Sequence, residues 1–216
     1  MLIVKLTKKN QQQVLELAVD FLKAGKVIVY PTDTIYGLGA DALNAAAVRK
    51  IYLIKVRSKN QPIHVLLPSI AAAKKLLQWS SAAQTLADNF LPGPLSIALP
   101  LKTKNKSLAA LTAGSGALGF RLPKNNFSLE LAKKLRRPIT ATSANPSHLK
   151  AAGFDPYSAK DVIRQFRGRK YQPNLIIDAG QMPRCKPSTF VRILPGNIVE
   201  ILRPGPVSRA QIQSVL

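Results

Sequence analysis

The stretch QQQVLELAVDFLKAGKVIVYPTD, residues 11–33, predicts a helix, then a strand, then a loop. Apolar residues recur at intervals of three and four over residues 11–24, and Gly25 follows as a helix stop signal. Residues 27–30 form a β-branched and aromatic run that ends at Pro31, which is typical of a buried strand. A helix followed directly by a buried strand favours the α/β class.

The rest of the sequence continues this alternation and then changes to strands without intervening helices. Further helices are predicted at 44–55, 70–78, 81–90, 127–136 and 158–168. Further strands are predicted at 63–67, 95–101, 118–122, 139–141, 175–178, 189–193 and 198–201. Polar and small residues predict loops at 102–116 and 146–156. We therefore expect an α/β fold with a twisted, mixed parallel and antiparallel sheet and flanking helices, in one domain over residues 1–216.

Apolar residues make up 46% of the sequence but are divided into short segments. No run approaches the roughly 20 apolar residues that a membrane-spanning helix needs. The N-terminus has too short an apolar stretch for a signal peptide. The single cysteine, Cys185, cannot form an internal disulfide, which fits a reducing compartment. These features predict a soluble, cytoplasmic protein with no membrane partner.

The charge balance is strongly basic. The sequence has 32 Lys and Arg against 10 Asp and Glu, a formal net charge of +22. Nucleic acid, nucleotide phosphates or an anionic membrane surface would each complement such a charge. Basic residues cluster at 133–137 and 164–170, within otherwise globular patterns. The clusters favour contact with RNA, and the alternative is a charged surface that serves solubility.

Several common catalytic sites are disfavoured. The glycine patterns at 37–42 and 114–119 resemble dinucleotide-binding loops, but the first lies too far after its strand and the second precedes a strand. The sequence contains no phosphate-binding P-loop. Two histidines, His64 and His148, with one cysteine are insufficient for a zinc site or a histidine-based triad. Because His64 lies within an apolar strand, we interpret it as a core residue.

Hydroxyl and cationic side chains stand beside the predicted ends of strands and helices. Such groups suit the binding of phosphates and carboxylates, where a protein positions reactants and neutralises charge. The set comprises Thr32, Asp33, Thr34, Lys55, Arg57, Arg121, Ser143, Asn145, Ser188, Thr189 and Arg203.

Seven short segments carry a resemblance to a known family. They are PTDTIYGLGAD (31–41), KVR (55–57), LPGPL (91–95), GFRLP (119–123), TSAN (142–145), ST (188–189) and LRPG (202–205). In order and spacing they resemble the YrdC/Sua5 threonylcarbamoyl-AMP synthases over about residues 10–207. The chain is similar to the short, single-domain form, so the resemblance implies a YrdC-like fold.

The resemblance also implies an activity. Family members join L-threonine, bicarbonate and ATP, release pyrophosphate and form threonylcarbamoyl-AMP for the t6A modification of tRNA. The expected partners are therefore ATP, L-threonine, bicarbonate, RNA or tRNA at the basic surface, and a downstream tRNA threonylcarbamoyl transferase complex.

The resemblance assigns one group of residues to the nucleotide. Lys55 and Arg57 would be the catalytic cations that neutralise the triphosphate. Arg57 and Arg203 would bind the nucleotide, and Ser143 and Asn145 would line the ATP pocket. Mg²⁺ would arrive with the ATP phosphates because the sequence has few carboxylates. Its protein ligands are unknown, and no separate metal site is expected.

A second group would hold threonine, namely Thr34, Arg121 and Ser188, with the arginine pairing with the amino-acid carboxylate. Two positions depart from the family pattern. Leu66 stands where many relatives have a histidine, and Pro187 stands where they often have a glutamate. The alternatives are therefore an enzyme that acts on a different amino acid or adenylate, and an RNA-binding paralogue.

Overall fold

The computed structural model describes residues 1–102, 105–151 and 153–216, apart from the side chains of residues 150 and 151. Within these residues the strands are β1 (Leu2–Lys5), β2 (Ile28–Tyr30), β3 (Gly37–Gly39), β4 (His64–Leu66), β5 (Leu95–Pro100), β6 (Ala117–Arg121), β7 (Ile139–Ser143), β8 (Leu175–Asp178), β9 (Thr189–Leu194) and β10 (Ile198–Arg203). The helices are α1 (Gln11–Lys23), α2 (Ala45–Lys55), α3 (Ile70–Leu76), α4 (Ser81–Phe90), α5 (Lys106–Leu111), α6 (Asn126–Leu135), α7 (Ser147–Ala151), α8 (Ala159–Phe166) and α9 (Arg209–Gln213).

The strands form one sheet in the order β1-β8-β2-β3-β7-β4-β6-β5-β9-β10. The pairs β1–β8, β2–β8, β4–β6 and β5–β9 are parallel. The pairs β2–β3, β3–β7, β4–β7, β5–β6 and β9–β10 are antiparallel. The mixed sheet predicted from the sequence is therefore confirmed.

The two faces of the sheet are buried against different helices. Ile28 and Tyr30 pack with α1 and α6 in one apolar cluster, whereas Val29 packs with α2, α4 and α8 in the other. Successive side chains of a strand point to opposite faces, so a strand covered on both sides needs an uninterrupted apolar run. This requirement explains the apolar segment 27–30. No helix in the described part of the chain is long and apolar enough to cross a membrane.

Two segments predicted to be loops contain short helices. Within the predicted loop 102–116, the side chain of Asn105 caps α5 by accepting a hydrogen bond from the amide of Leu108. Leu108 is fully buried, which fixes α5 against the sheet. Helix α7 occupies part of the predicted loop 146–156. Residues 103, 104 and 152 of these two predicted loops lie outside the described residues.

Strand β3 explains one of the two glycine patterns. Gly37 and Gly39 lie on a strand, next to the ring of Tyr30 on the neighbouring β2. A Cβ atom on Gly37 would lie 2.8 Å from Cζ of Tyr30, and one on Gly39 would lie 2.7 Å from its Cε1. These glycines therefore leave room for a buried aromatic ring, as glycines in strands often do where a neighbour approaches closely.

Candidate active site

A cavity of about 90 Å³ lies at the carboxyl ends of β2, β6, β7 and β10. Ligands of open α/β sheets commonly bind at such strand ends. Of the eight site residues that the resemblance implies, six line this cavity: Thr34, Arg57, Arg121, Ser143, Ser188 and Arg203. The other two, Lys55 and Asn145, are fully buried behind its wall.

Arg121 lines the cavity and is paired with Asp33, which does not line it. The two side chains form an ion pair in which each is about nine-tenths buried. Asp33 also accepts a hydrogen bond of 3.1 Å from the amide of Lys124, and Nη1 of Arg121 lies 3.4 Å from the hydroxyl of Thr34. Nε of Arg121 is buried and has no hydrogen-bond partner among the described residues. Arg121 thus enters the cavity wall with its guanidinium in a fixed orientation.

Ser188 and Arg203 form a second wall. The guanidinium of Arg203 donates to the carbonyl of Ser188 from Nη2 at 2.8 Å and from Nε at 3.1 Å. The hydroxyl of Ser188 lies 3.1 Å from that of buried Ser96, a residue that the sequence analysis did not identify. Burial lowers the pKa of Arg203, and the nearby charge of Arg121 lowers this pKa further. Two guanidinium groups therefore share this side of the cavity.

Gly205 lets the chain after β10 pass against the segment that carries Ser188. A Cβ atom at this position would lie 2.5 Å from the carbonyl oxygen of Pro187 and 2.8 Å from the carbonyl carbon of Ser188. Both are backbone atoms, which cannot rotate away. The glycine of the LRPG segment therefore fixes the position of a cavity hydroxyl.

We expect Gly205→Ala to lower the free energy of unfolding by about 2 kcal/mol, because the added methyl group overpacks the backbone. It should also weaken binding of whatever ligand contacts Ser188. Gly196→Ala is the control: it lies at the β9–β10 turn with φ +76° and has nothing within 4 Å of the added Cβ atom. The control should lose stability through backbone strain alone and keep ligand affinity, as measured by denaturation and calorimetry. Equal affinities for both variants would contradict this role of Gly205.

Arg57 reaches the cavity because helix α2 ends abruptly. Val56 adopts the left-handed conformation, φ 49° and ψ 50°, and the amide of Arg57 donates to the carbonyl of Tyr52 at 3.0 Å. This arrangement is typical of a helix C-terminus, although glycine usually occupies the left-handed position. Nη2 of Arg57 then donates to the carbonyl of Pro62 at 2.9 Å. Burial lowers the pKa of Arg57.

We expect Val56→Asn to raise the free energy of unfolding by about 1 kcal/mol. The left-handed conformation is costly for a β-branched residue, and asparagine tolerates it better. Leu53→Asn is the control, because Leu53 is an exposed apolar residue within the same helix but before its left-handed end. Urea denaturation measures the free energy of unfolding of both variants. A lower value for Val56→Asn than for the wild type would contradict the backbone strain inferred at Val56.

Lys55, Ser143 and Asn145 form a buried network. Nζ of Lys55 lies 2.6 Å from the carbonyl oxygens of both Ser143 and Asn145, and 3.3 Å from Oδ1 of Asn145. The hydroxyl of Ser143 lies 2.7 Å from the same Oδ1. Only Ser143 of the three lines the cavity.

His64 lines the cavity, although its apolar surroundings in the sequence led to its interpretation as a core residue. Its ring centroid lies 4.2 Å from that of Phe190. Gly119 leaves space for this ring, because a Cβ atom there would lie 2.5 Å from Cδ2 of His64. Leu66 is fully buried in the cluster with α1 and α6 and does not line the cavity, whereas Pro187 does.

The electrostatic character of the cavity is positive. Among the described residues, three guanidinium groups but no carboxylate line it, and the carboxylate of Asp33 nearby is paired with Arg121. The described residues also contain no group of three or more His, Cys, Asp or Glu side chains that could hold a metal ion. The arrangement therefore suits anionic ligands held by guanidinium and hydroxyl groups.

Known proteins are similar to this chain in sequence and in fold. A family model named Sua5/YciO/YrdC, described as telomere recombination, matches residues 20–205. This chain belongs to the Sua5/YciO/YrdC family. The resemblance stated from the seven segments is thereby confirmed.

Relatives within the Sua5/YciO/YrdC family come from all three domains of life. The threonylcarbamoyl-AMP synthase of Pyrococcus abyssi is 31% identical, with 100% of this chain and 61% of that protein covered. The proteins of the same name from Bacillus subtilis and Homo sapiens are 34% and 33% identical. They cover 96% and 89% of this chain and are themselves covered to 57% and 67%. The chain thus spans less than two thirds of the length of the Pyrococcus and Bacillus relatives.

Solved structures of the Sua5/YciO/YrdC family confirm the fold. The crystal structure of P. abyssi Sua5 complexed with L-threonine has a TM-score of 0.89 and 30% identity, over 100% of this chain and 61% of that one. The structure of E. coli YciO has a TM-score of 0.82 at 23% identity, over 100% and 98% of the two chains. At that identity the second match bears on the fold alone.

Proposed function

We propose that this chain is an L-threonylcarbamoyladenylate synthase, a nucleotidyltransferase that acts in the t6A modification of tRNA. The observation that carries the proposal is the convergence of Arg57, Arg121 and Arg203 on one cavity that also contains the hydroxyls of Thr34 and Ser188. Relatives named threonylcarbamoyl-AMP synthase support the same reaction. The product would be consumed by a downstream tRNA threonylcarbamoyl transferase complex.

Threonine would bind at the Arg121 side of the cavity. Its carboxylate would pair with the guanidinium of Arg121, which lines the cavity, and its polar groups would meet Thr34 and Ser188. The amine of threonine attacks the carbon of bicarbonate, water leaves, and the nitrogen becomes a carbamate. Because Asp33 fixes the guanidinium, the amino acid would be held in one orientation for this step.

ATP would lie toward Arg57, Arg203 and Ser143. The carbamate oxygen attacks the α-phosphorus, the bond from that phosphorus to the β-phosphate bridge breaks, and pyrophosphate leaves. The guanidinium groups would stabilise the negative charge that develops on the phosphoryl oxygens. Mg²⁺ would be part of the substrate MgATP, because no carboxylate among the described residues lines the cavity.

The first experiment measures pyrophosphate release from ATP and bicarbonate with each amino acid in turn, with mass spectrometry of the adenylate. We expect release that requires both threonine and bicarbonate, and a threonylcarbamoyl adduct. Release with another amino acid would instead support the altered specificity that Pro187 suggests, since this residue lines the cavity. Folded protein without turnover would contradict the synthase.

A second function, RNA binding, is favoured by the basic surface around α8. Arg164 and Arg167 are exposed beside a groove of about 360 Å³ that Arg169 also lines. Replacing all three arginines with glutamate should weaken RNA binding and reduce its dependence on salt concentration, because fewer counterions are released. Charge reversal at Lys74 and Lys75, which are also exposed, is the control. RNA affinity that does not vary with salt would contradict this function.

A further inference from the structure

Lys55 occupies a position that differs from that of the cavity arginines. It ends helix α2, is fully buried and directs its ammonium group at the backbone of residues 143–145. Three acceptors lie within hydrogen-bond distance: the carbonyl oxygens of Ser143 and Asn145, and Oδ1 of Asn145. A lysine ammonium has three N–H donors. These three contacts direct the ammonium group at this turn.

The same network extends from the turn to a second segment. Oδ1 of Asn145 accepts from both Lys55 and the hydroxyl of Ser143, and Nδ2 of Asn145 donates to the carbonyl of Phe154 at 2.9 Å. Asn145 is fully buried, so these contacts are shielded from water. Hydrogen bonds to a charged donor are stronger than neutral ones, and more so in a medium of low dielectric constant. Lys55 thus connects the cavity residue Ser143 with the segment that follows α7.

We propose that Lys55 is a positioning residue, which holds the 143–145 turn and, through Asn145, the backbone of Phe154, so that Ser143 faces the cavity. It acts on the ligand through Ser143 and does not contact the triphosphate. The identity of the ligand rests on the proposed function, whereas the role of Lys55 in holding the turn does not. Removing the ammonium would take this charged donor from both buried carbonyl groups. The carbonyl of Ser143 would keep only the amide of Asn145, at 2.9 Å, and the turn would move to find other partners.

The test compares ATP and AMP binding to Lys55→Met by calorimetry. Methionine preserves the length and burial of the side chain without its charge. A positioning role predicts that both affinities fall by the same factor, about tenfold or more, because Ser143 is displaced whatever the number of phosphates. If Lys55 instead contacts the triphosphate directly, Lys55→Met should lower the affinity for ATP and change the affinity for AMP little. Arg49→Met, which removes an exposed cation from the same helix, is the control and should change neither affinity.

Hydrogen exchange provides a measurement that does not depend on ligand binding. We expect the amides of Gly153, Phe154, Asp155 and Tyr157 to exchange at least tenfold faster in Lys55→Met, while those of α1 keep the wild-type rate. Asn145→Ala should give the same local increase, and the double variant should add little, because both changes disrupt one network. If Lys55→Met does not fold, Lys55→Gln, which retains an amide donor of shorter reach, is measured in the same way.

The outcomes separate the two proposals. Loss of ATP affinity alone, with unchanged exchange at residues 153–157, would overturn the positioning role and restore Lys55 as a phosphate ligand. If the wild-type protein binds neither ATP nor AMP, the synthase proposal fails, and the exchange rates alone decide the role of Lys55. Faster exchange confined to this segment then supports positioning, and unchanged exchange overturns it.

Discussion

Arg57→Ala should reduce pyrophosphate release by about a thousandfold at saturating ATP and threonine. A guanidinium that is fixed where charge develops on a transferring phosphoryl group contributes a factor of this order. Arg57 meets this condition because the left-handed end of α2 and the carbonyl of Pro62 hold it in the cavity wall. Initial rates of pyrophosphate release measure the effect.

Two further variants sharpen this prediction. Arg49→Ala removes an exposed arginine from the same helix and should retain the wild-type rate. Arg57→Lys keeps the charge but lacks the planar fork of donors, so we expect it to recover only a small part of the activity. If Arg57→Lys were as active as the wild type, charge alone would suffice and the fixed geometry would not matter. If Arg57→Ala were fully active, the nucleotide would bind elsewhere.

Asp33→Ala should lower the free energy of unfolding by about 3 kcal/mol, because it leaves the buried guanidinium of Arg121 without its counter-charge. For a chain of this size the midpoint of thermal unfolding should fall by about 9 °C. The threonine KM should rise as well, because the freed guanidinium no longer has one orientation. Thermal denaturation and steady-state kinetics measure the two effects.

The matched control is an exposed ion pair. Glu130 and Lys133 are both about half exposed, so Glu130→Ala should cost less than about 1 kcal/mol. The double variant Asp33→Ala/Arg121→Ala should be more stable than the sum of the two single losses, because neither charge then remains buried alone. Additive losses would show that the two side chains do not stabilise each other.

The sequence predicted those elements whose own residues carry a strong pattern. Helix α1 and strand β2 have clear apolar periodicities, and both lie where they were expected. Strands β1 and β3 were missed for physical reasons. Strand β1 has three consecutive apolar residues followed by a lysine, without the alternation that marks a half-buried strand, and β3 has a single apolar side chain between two glycines. Both strands depend on partners distant in the sequence.

The candidate site was predicted through the family resemblance. The structure then shows which of the predicted residues line the cavity and which lie behind it, a distinction that the seven segments do not contain. Ser143 lines the cavity, whereas Asn145 of the same TSAN segment is buried behind it. The order of residue types in a segment does not tell which side chains face a ligand, because that depends on the backbone turn and its buried partners. The interpretation of His64 as a core residue was wrong, because its side chain lines the cavity. The alternation of side chains along a strand does not reveal where a cavity interrupts an apolar face.

The pairing of β1 with β8 has a consequence for synthesis of the chain. In the described part of the structure β8 is the only strand partner of β1, and it also pairs with β2. A ribosome that adds roughly 5–20 residues per second needs on the order of ten seconds to proceed from β1 to β8. During that interval the exposed Leu2 and Ile3 belong to a strand without a neighbour. The nascent chain therefore presents an unpaired edge that a holding chaperone could occupy until translation reaches Asp178.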